Sequence, residues 1–230
     1  MTRGPGAGGE HPLADTAVEA LGGTPASVER PPASPVRGVL PPGLSRRVAS
    51  FDRAAERLFD QHLRDRTVPD RVAFLASSAG DFSLVWHAAG ALSALRGPHH
   101  RRAWRRLAIA LAIESLVVNW GIKSLFRRTR PVWDQPRRFR LRQPRTSSFP
   151  SGHATSGFLA ATLLADADAR SPLASAWFVL AAVVAGSRVH VRIHHASDVV
   201  AGAGMGLLAG RLVRRRWPLG TPGAVRRRIS

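Results

Sequence analysis

The sequence predicts an all-α protein, a membrane-embedded bundle of about five to six helices. Apolar segments rich in Ala, Leu, Val and Gly recur through residues 72–213, and arginine clusters flank most of them. Small residues at this density permit the close helix contacts that are common in lipid. No stretch shows the alternating pattern of a half-buried strand. The apolar segments are 72–95, 107–125, 153–168, 173–187 and 197–213.

A soluble helical core remains an alternative, because none of the segments is a clean uncharged stretch of the roughly 20 residues that cross a bilayer. The first contains Asp81 and His87, and the second contains Glu114 and Asn119. The small residues and flanking arginines favour membrane helices over that alternative.

The chain ends differ from this apolar part. Residues 1–45 are rich in Pro, Gly, Ala and Ser, which predicts a disordered tail. Residues 46–66 place apolar side chains at helical spacing opposite a charged face. That pattern predicts an amphipathic helix, lying either on a membrane surface or on the protein's own core. A helical domain is expected over 67–216, followed by a basic tail over 217–230.

The chain carries a formal charge of +19, and Lys123 is its single lysine. Residues 1–45 hold three arginines and four acidic residues, so the excess lies wholly in residues 46–230. Such a charge suits a nucleic acid, an anionic membrane surface or a phosphorylated substrate. The absence of cysteine excludes disulfides, thiolate metal sites and a cysteine nucleophile.

If all five segments cross the membrane, residues 126–150 and 188–196 emerge on the same face. Basic stretches near 96–106 and 211–217 then mark the opposite face. Because positive loops favour the cytoplasmic side, the face with 126–150 is expected to be extracytoplasmic. The sequence thus predicts an integral protein of a bacterial-type plasma membrane.

Two polar clusters begin or end apolar segments on that shared face. The first reads KSLFRRTRP, from Lys123 to Pro131, and supplies cations that match phosphate oxygens. Taken alone, it is also typical of a basic run flanking a membrane helix. The second reads FPSGHATSG, from Phe149 to Gly157, and has the residues of a helix start, where free N–H groups attract anions. An ordinary helix cap with a surface histidine is the alternative.

A third cluster, SRVHVRIHHASD, spans residues 187–198. His194 and Asp198 are four apart and share one helix face, so the carboxylate can orient the imidazole as a nucleophile. His195 is three residues from Asp198, and spacing does not exclude it. His190, His194 and Asp198 could instead bind a metal ion. The neighbouring arginines favour an anion over a cation.

Together the clusters resemble the signature of the type 2 phosphatidic acid phosphatase (PAP2) superfamily, which includes vanadium haloperoxidases. That signature is lysine, six residues, Arg-Pro; then Pro-Ser-Gly-His; then Ser-Arg, five residues, histidine, three residues, aspartate. Every fixed position matches in order, with 18 and 33 residues between the parts. The resemblance covers about residues 105–213 and implies the integral-membrane lipid phosphatase branch.

The resemblance implies a role for each matched residue. His194 would attack phosphorus and become a phosphohistidine, with Asp198 orienting it. His153 would protonate the departing oxygen and then activate water. No metal or other cofactor would be required. The residues that would hold the phosphoryl oxygens are Lys123, Arg130, Ser151, Gly152 and Arg188.

The implied reaction is metal-independent hydrolysis of a lipid phosphate or diphosphate, of phosphatidate, phosphatidylglycerophosphate or polyprenyl-phosphate type. Integral members usually have six crossings, with the first cluster after the third, whereas here it follows the second apolar segment. A vanadate-dependent haloperoxidase is an alternative that the apolar segments disfavour. A noncatalytic protein that binds nucleic acid or anionic membranes is another, but no nucleic-acid module is recognisable, so membrane lipids are the expected partners.

Overall fold

The structure, a computed structural model, describes residues 40–132 and 146–220. Every regular element in these two ranges is a helix, which confirms the all-α prediction. A 3₁₀ turn at Asp81–Ser83 separates α2 from α3, and a π-helical turn at Val117–Ile122 joins α4 to α5. The α-helices are α1 Pro42–His62, α2 Thr67–Ala79, α3 Leu84–Ala94, α4 Pro98–Leu116, α5 Lys123–Leu125, α6 Gly152–Ala167, α7 Leu173–His190 and α8 Ala196–Arg216.

Helix α6 forms the centre of the bundle and packs against α4, α7 and α8. Its Leu159 and Leu163 are buried in a core that also contains Trp86 and Leu107. Because α6 and α8 approach closely, α8 carries glycine at every fourth position of the contact. A Cβ atom at Gly206 would lie 2.3 Å from the carbonyl oxygen of Thr155. This packing holds the beginnings of α6 and α8 side by side, where two of the three sequence clusters lie.

Within the described ranges, three helical stretches are long and apolar enough to cross a membrane. They are Pro98–Leu125, Leu173–His190 and Ala196–Arg216. Large apolar side chains such as Trp120 and Leu208 are exposed on their outer faces. Contiguous exposed apolar surface of this kind fits lipid contact. The chain is an integral membrane protein.

The apolar segment 72–95 differs from the expected single membrane helix. It is divided between α2 and α3, because Phe82 and Ser83 adopt left-handed backbone angles, with φ of 54° and 59°. Two consecutive residues in this conformation end one helix and redirect the chain. The 13 residues of α2 and the 11 of α3 are each shorter than a typical membrane crossing.

The amphipathic helix predicted at 46–66 extends over Pro42–His62 as α1. Proline at its first position explains the earlier start, since proline is favoured there. The helix ends at His62, before the predicted residue 66, and α2 begins at Thr67. Most of the predicted N-terminal tail, residues 1–39, lies outside the described residues, as do residues 221–230 of the basic C-terminal tail.

Candidate active site

The three sequence clusters meet at one cavity of about 440 Å³. It is bounded by the 3₁₀ turn between α2 and α3, the last part of α4, the start of α5, the start of α6, the end of α7 and the loop that leads into α8. The residues that sequence reasoning singled out and that line this cavity are Lys123, Gly152, His153, Arg188 and His194.

His194 lies in the short loop between α7 and α8 and is almost fully buried. Its Nδ1 is 2.6 Å from the carbonyl oxygen of Ser148 and 3.7 Å from Oδ2 of Asp198. The closer partner of the imidazole is therefore a backbone carbonyl that sequence reasoning missed. Because a carbonyl can only accept, Nδ1 carries the hydrogen and the lone pair lies on Nε2. The nearest donor to Nε2 is Nη1 of Arg130, at 3.3 Å.

The surroundings of His194 keep its imidazole neutral. Burial lowers its pKa, the charges of Arg130 and Arg188 act in the same direction, and the resulting pKa is about 3. Asp198 opposes this shift by stabilising the imidazolium. At neutral pH the ring is thus neutral, with its hydrogen on Nδ1, and its Nε2 lone pair is suited to nucleophilic attack.

Asp198 lies in the first turn of α8 and is fully buried. Its Oδ2 accepts a hydrogen bond from the backbone N–H of His195 at 2.9 Å, and its Oδ1 accepts one from Nη1 of Arg128 at 2.5 Å. These two donors fix the carboxylate close to the Nδ1 side of His194. From that place its negative charge can offset positive charge on the imidazole, although Nδ1 donates its hydrogen bond to the carbonyl of Ser148.

His153 faces the cavity from the first turn of α6. Its Nε2 is 3.2 Å from Oδ1 of Asp81 and 3.1 Å from the carbonyl oxygen of Ser77. The left-handed turn at Phe82 and Ser83 directs the chain so that Asp81 reaches this ring. Sequence reasoning noted Asp81 only as a charge that interrupts an apolar segment. The site therefore contains a second histidine–carboxylate pair.

Two of the predicted phosphate ligands line the cavity as cations. Nζ of Lys123 donates to Oδ1 of Asn119 at 2.9 Å, and it would lie 3.5 Å from a Cβ placed on Gly152. The π-helical turn just before Lys123 is a feature that often accompanies functional sites. Arg188 is buried and donates from Nη1 to Oγ of Ser77. The cavity thus brings two cations together with Gly152 at the start of α6.

Arg130 and Ser151 do not line the cavity, although sequence reasoning placed both on phosphate. Arg130 donates to three backbone carbonyls, those of Ile193, Thr146 and Ser147, at 2.9 to 3.2 Å. Ser151 is fully buried, and its Oγ accepts from the N–H of Ala154 as the cap of α6. Their contact with phosphate stays a prediction.

The other two histidines of the third cluster have partners of their own. Nε2 of His190 is 2.8 Å from Oδ1 of Asp70 on α2, and Nε2 of His195 is 3.2 Å from the carbonyl oxygen of Thr129. His190 is therefore not grouped with His194 and Asp198, as the metal alternative required. Within residues 40–132 and 146–220, no three His, Asp or Glu side chains are arranged to bind a metal ion.

The chain is similar in sequence to two bacterial phosphatases that have the same name. Decaprenylphosphoryl-5-phosphoribose phosphatase of Mycobacterium tuberculosis is 35% identical over 150 residues, which cover 63% of this chain and 81% of that protein. The enzyme of the same name from Mycolicibacterium smegmatis is 36% identical over 128 residues, 55% of this chain and 67% of that protein.

A similar fold occurs in the crystal structure of a transmembrane PAP2-type phosphatidylglycerolphosphate phosphatase from Bacillus subtilis. It has a TM-score of 0.55 and 21% identity, and the match covers 74% of this chain and 86% of that one. The PAP2 family model matches residues 103–219, which contain all three sequence clusters. From the match to the family model and from these relatives it follows that the chain belongs to the PAP2 superfamily.

Proposed function

We propose that this chain hydrolyses a lipid phosphate through a phosphohistidine on His194. The family and the relatives make it a phosphoric monoester hydrolase of membrane PAP2 type, as predicted from the sequence. The observation that supports the mechanism best is the neutral, buried imidazole of His194 in a cavity shared with Lys123 and Arg188. A cavity with this lining is suited to hold a phosphate dianion beside the imidazole.

In the first step, Nε2 of His194 attacks phosphorus and the bond from phosphorus to the ester oxygen breaks. His153 donates a proton to that oxygen, and the lipid alcohol leaves. In the second step, His153 takes a proton from water, the water oxygen attacks phosphorus, and the phosphorus–nitrogen bond breaks. Asp81 and Ser77 engage Nε2 of His153, which leaves Nδ1 as the nitrogen that exchanges the proton.

Charge spreads over the three nonbridging oxygens in the transition state, so fixed donors around them lower the barrier. Lys123, Arg188 and the N–H of Gly152 support this role by their position around the cavity. Arg130 is adjacent to Nε2 of His194 and could reach the same oxygens once phosphorus is bound there.

Within the lipid phosphates, we favour a phosphomonoester on the sugar of a polyprenyl-phosphoryl glycoside. The relatives of 35% and 36% identity are named for such a substrate. The cavity wall beyond Lys123 also carries Glu114, Ser115 and Asn119. These polar side chains can exchange hydrogen bonds with sugar hydroxyls.

A substrate panel tests this function. Purified protein in detergent is expected to release inorganic phosphate in the presence of EDTA. We expect the highest kcat/KM with polyprenyl-phosphoryl phosphoribose, compared with phosphatidate, phosphatidylglycerophosphate and polyprenyl phosphate. The His194→Ala variant is the control for contaminating phosphatases. Release that requires added Mg²⁺, or release from water-soluble phosphomonoesters alone, would contradict the proposal.

We also propose that the active site faces the extracytoplasmic side and that α1 lies in the membrane interface. Arginines, among them Arg170, Arg211 and Arg214, surround a second cavity of about 670 Å³ at the other ends of α6 and α8. That basic end matches the cytoplasmic side. On α1, Phe51 and Leu58 are exposed while Asp52 is buried, which supports contact between its apolar face and lipid.

Both placements can be measured with single cysteines, because the chain has none of its own. In intact cells, a membrane-impermeant maleimide is expected to label Arg127→Cys and not Arg215→Cys. An environment-sensitive dye on Leu58→Cys should emit at shorter wavelength than the same dye on Arg57→Cys in bilayers. The reverse labelling pattern would contradict the orientation, and equal emission would contradict the interfacial position of α1.

A further inference from the structure

We propose that Asp52 on α1 is a positioning residue for the reaction. It acts through Arg128 on the carboxylate of Asp198 and so on His194. Neither Asp52 nor Arg128 belongs to the three-part sequence signature, and the family-model match begins only at residue 103. The inference rests on the proposed function, because it assigns Asp52 a role in the chemistry at His194.

Helix α1 is otherwise peripheral, but its Asp52 is buried beside the active site. Only 5% of the surface of Asp52 is exposed. Its Oδ2 accepts from Nη2 of Arg128 at 2.6 Å and from Oγ of Ser197 at 2.9 Å. Its Oδ1 accepts from the backbone N–H of Ser197 at 2.8 Å. Since Ser197 immediately precedes Asp198, Asp52 fixes both the start of α8 and the guanidinium beside it.

Arg128 connects the two carboxylates. One of its terminal nitrogens donates to Asp52 at 2.6 Å, and the other donates to Asp198 at 2.5 Å and to Oγ of Ser197 at 2.7 Å. Its side chain is 1% exposed, so water does not screen these charges. A guanidinium holds two carboxylates in a fixed plane. The position of Asp198 relative to His194 therefore depends on a residue of α1.

The pairing of Arg128 with two carboxylates, those of Asp52 and Asp198, has an electrostatic consequence for His194. If Asp52 is neutralised, Asp198 becomes the single carboxylate that compensates Arg128. Its negative charge is then less available to the imidazolium that forms when His194 is phosphorylated. We expect such a change to slow the chemical steps while leaving substrate binding at Lys123 and Arg188 largely unaffected.

Helix α1 also provides a matched control. Asp60, two turns after Asp52 on the same face, accepts from Arg64 and from Arg192, both at 2.6 Å. These ion pairs attach α1 to the rest of the bundle but do not touch Asp198. If Asp52 merely holds α1 in place, neutralising Asp60 should have a similar effect on activity.

The experiment compares Asp52→Asn with Asp60→Asn, with kcat and KM measured for polyprenyl-phosphoryl phosphoribose, or for phosphatidate if that is hydrolysed faster. Asp52→Asn is expected to lower kcat by about 10- to 100-fold, by analogy with the loss of a residue that orients a metal ligand, with little change in KM. Asp60→Asn should keep kcat close to that of the unmodified chain. Asp52→Glu, which keeps the charge, should fold and show a smaller loss of kcat.

A double variant separates positioning from general destabilisation. Because Asp52 acts chiefly through Arg128, and only in part through its direct bonds to Ser197, Asp52→Asn combined with Arg128→Gln should lose much less than the product of the two single losses. Additive losses, equal losses in Asp60→Asn, or unchanged kcat in both Asp52 variants would overturn the proposal. If His194→Ala is inactive while the Asp52 variants are fully active, this inference fails and the proposed function stands. Turnover in His194→Ala would instead remove the proposed function.

Discussion

His194→Ala is expected to lower kcat by more than about 10⁴-fold, a loss typical of removing a catalytic nucleophile. The alanine leaves Lys123 and Arg188 in place, so the substrate phosphate should still bind. Neither His153 nor His195 is placed to replace the nucleophile, because Nε2 of His153 is engaged by Asp81 and Ser77, and Nε2 of His195 is engaged by the carbonyl of Thr129. The measurement is phosphate release at saturating substrate, with KM or substrate affinity determined in parallel.

His190→Ala is the matched control for that variant. His190 lies only four residues away, but it pairs with Asp70 on α2 and does not line the cavity. We expect this variant to keep kcat within the range of the unmodified chain, with some loss of thermal stability from the broken buried pair. Equal losses of kcat in His190→Ala and His194→Ala would mean that His194 matters for folding and not for attack on phosphorus.

His153→Ala is expected to lower kcat by about 10²- to 10⁴-fold, the range for removal of a general acid–base group. Both steps use this histidine, but they respond differently to the leaving group. A substrate with an acidic leaving group, such as p-nitrophenyl phosphate, needs no proton in the first step. With that substrate, the variant should form the phosphoenzyme quickly and hydrolyse it slowly.

Accumulated phosphoenzyme is thus the expected signature of His153→Ala. It can be followed by a burst of p-nitrophenol whose amplitude approaches one per active site, followed by slow steady-state release. His153→Ala with a normal rate of dephosphorylation would show that another group activates water. In that case Asp81, the carboxylate nearest to His153, would be the first residue to replace.

That several of the matched residues lie close together could be predicted, because each stands next to a helix end and helix ends on one face of a bundle meet. Lys123, His153, Arg188 and His194 indeed line one cavity. Ser148 could not be predicted, because it contributes a backbone carbonyl to Nδ1 of His194, and any residue type has that group.

Asp81 was missed for a conformational reason. Its approach to His153 depends on left-handed backbone angles at Phe82 and Ser83, and neither residue type favours them. Residues 72–95 read as one apolar stretch, so their composition did not reveal the break between α2 and α3.

The orientation of α1 did have a signal in the sequence. Asp52, Glu56 and Asp60 recur every fourth residue and form an acidic face on a helix of a strongly basic protein. Such a face predicts a basic partner, and the structure pairs it with Arg128, Arg64 and Arg192. Apolar periodicity alone left two placements for the helix open, because it does not tell which of its faces meets the bundle.

The most direct test of the phosphohistidine is to locate the phosphoryl group itself. His153→Ala is mixed with ³²P-labelled p-nitrophenyl phosphate, quenched in alkali and digested, since a phosphohistidine survives alkali and is lost in acid. The account predicts label on the peptide that contains His194, stable to alkali and absent from the His194→Ala, His153→Ala double variant. Label on another residue, or label that persists when His194 is replaced, would contradict it.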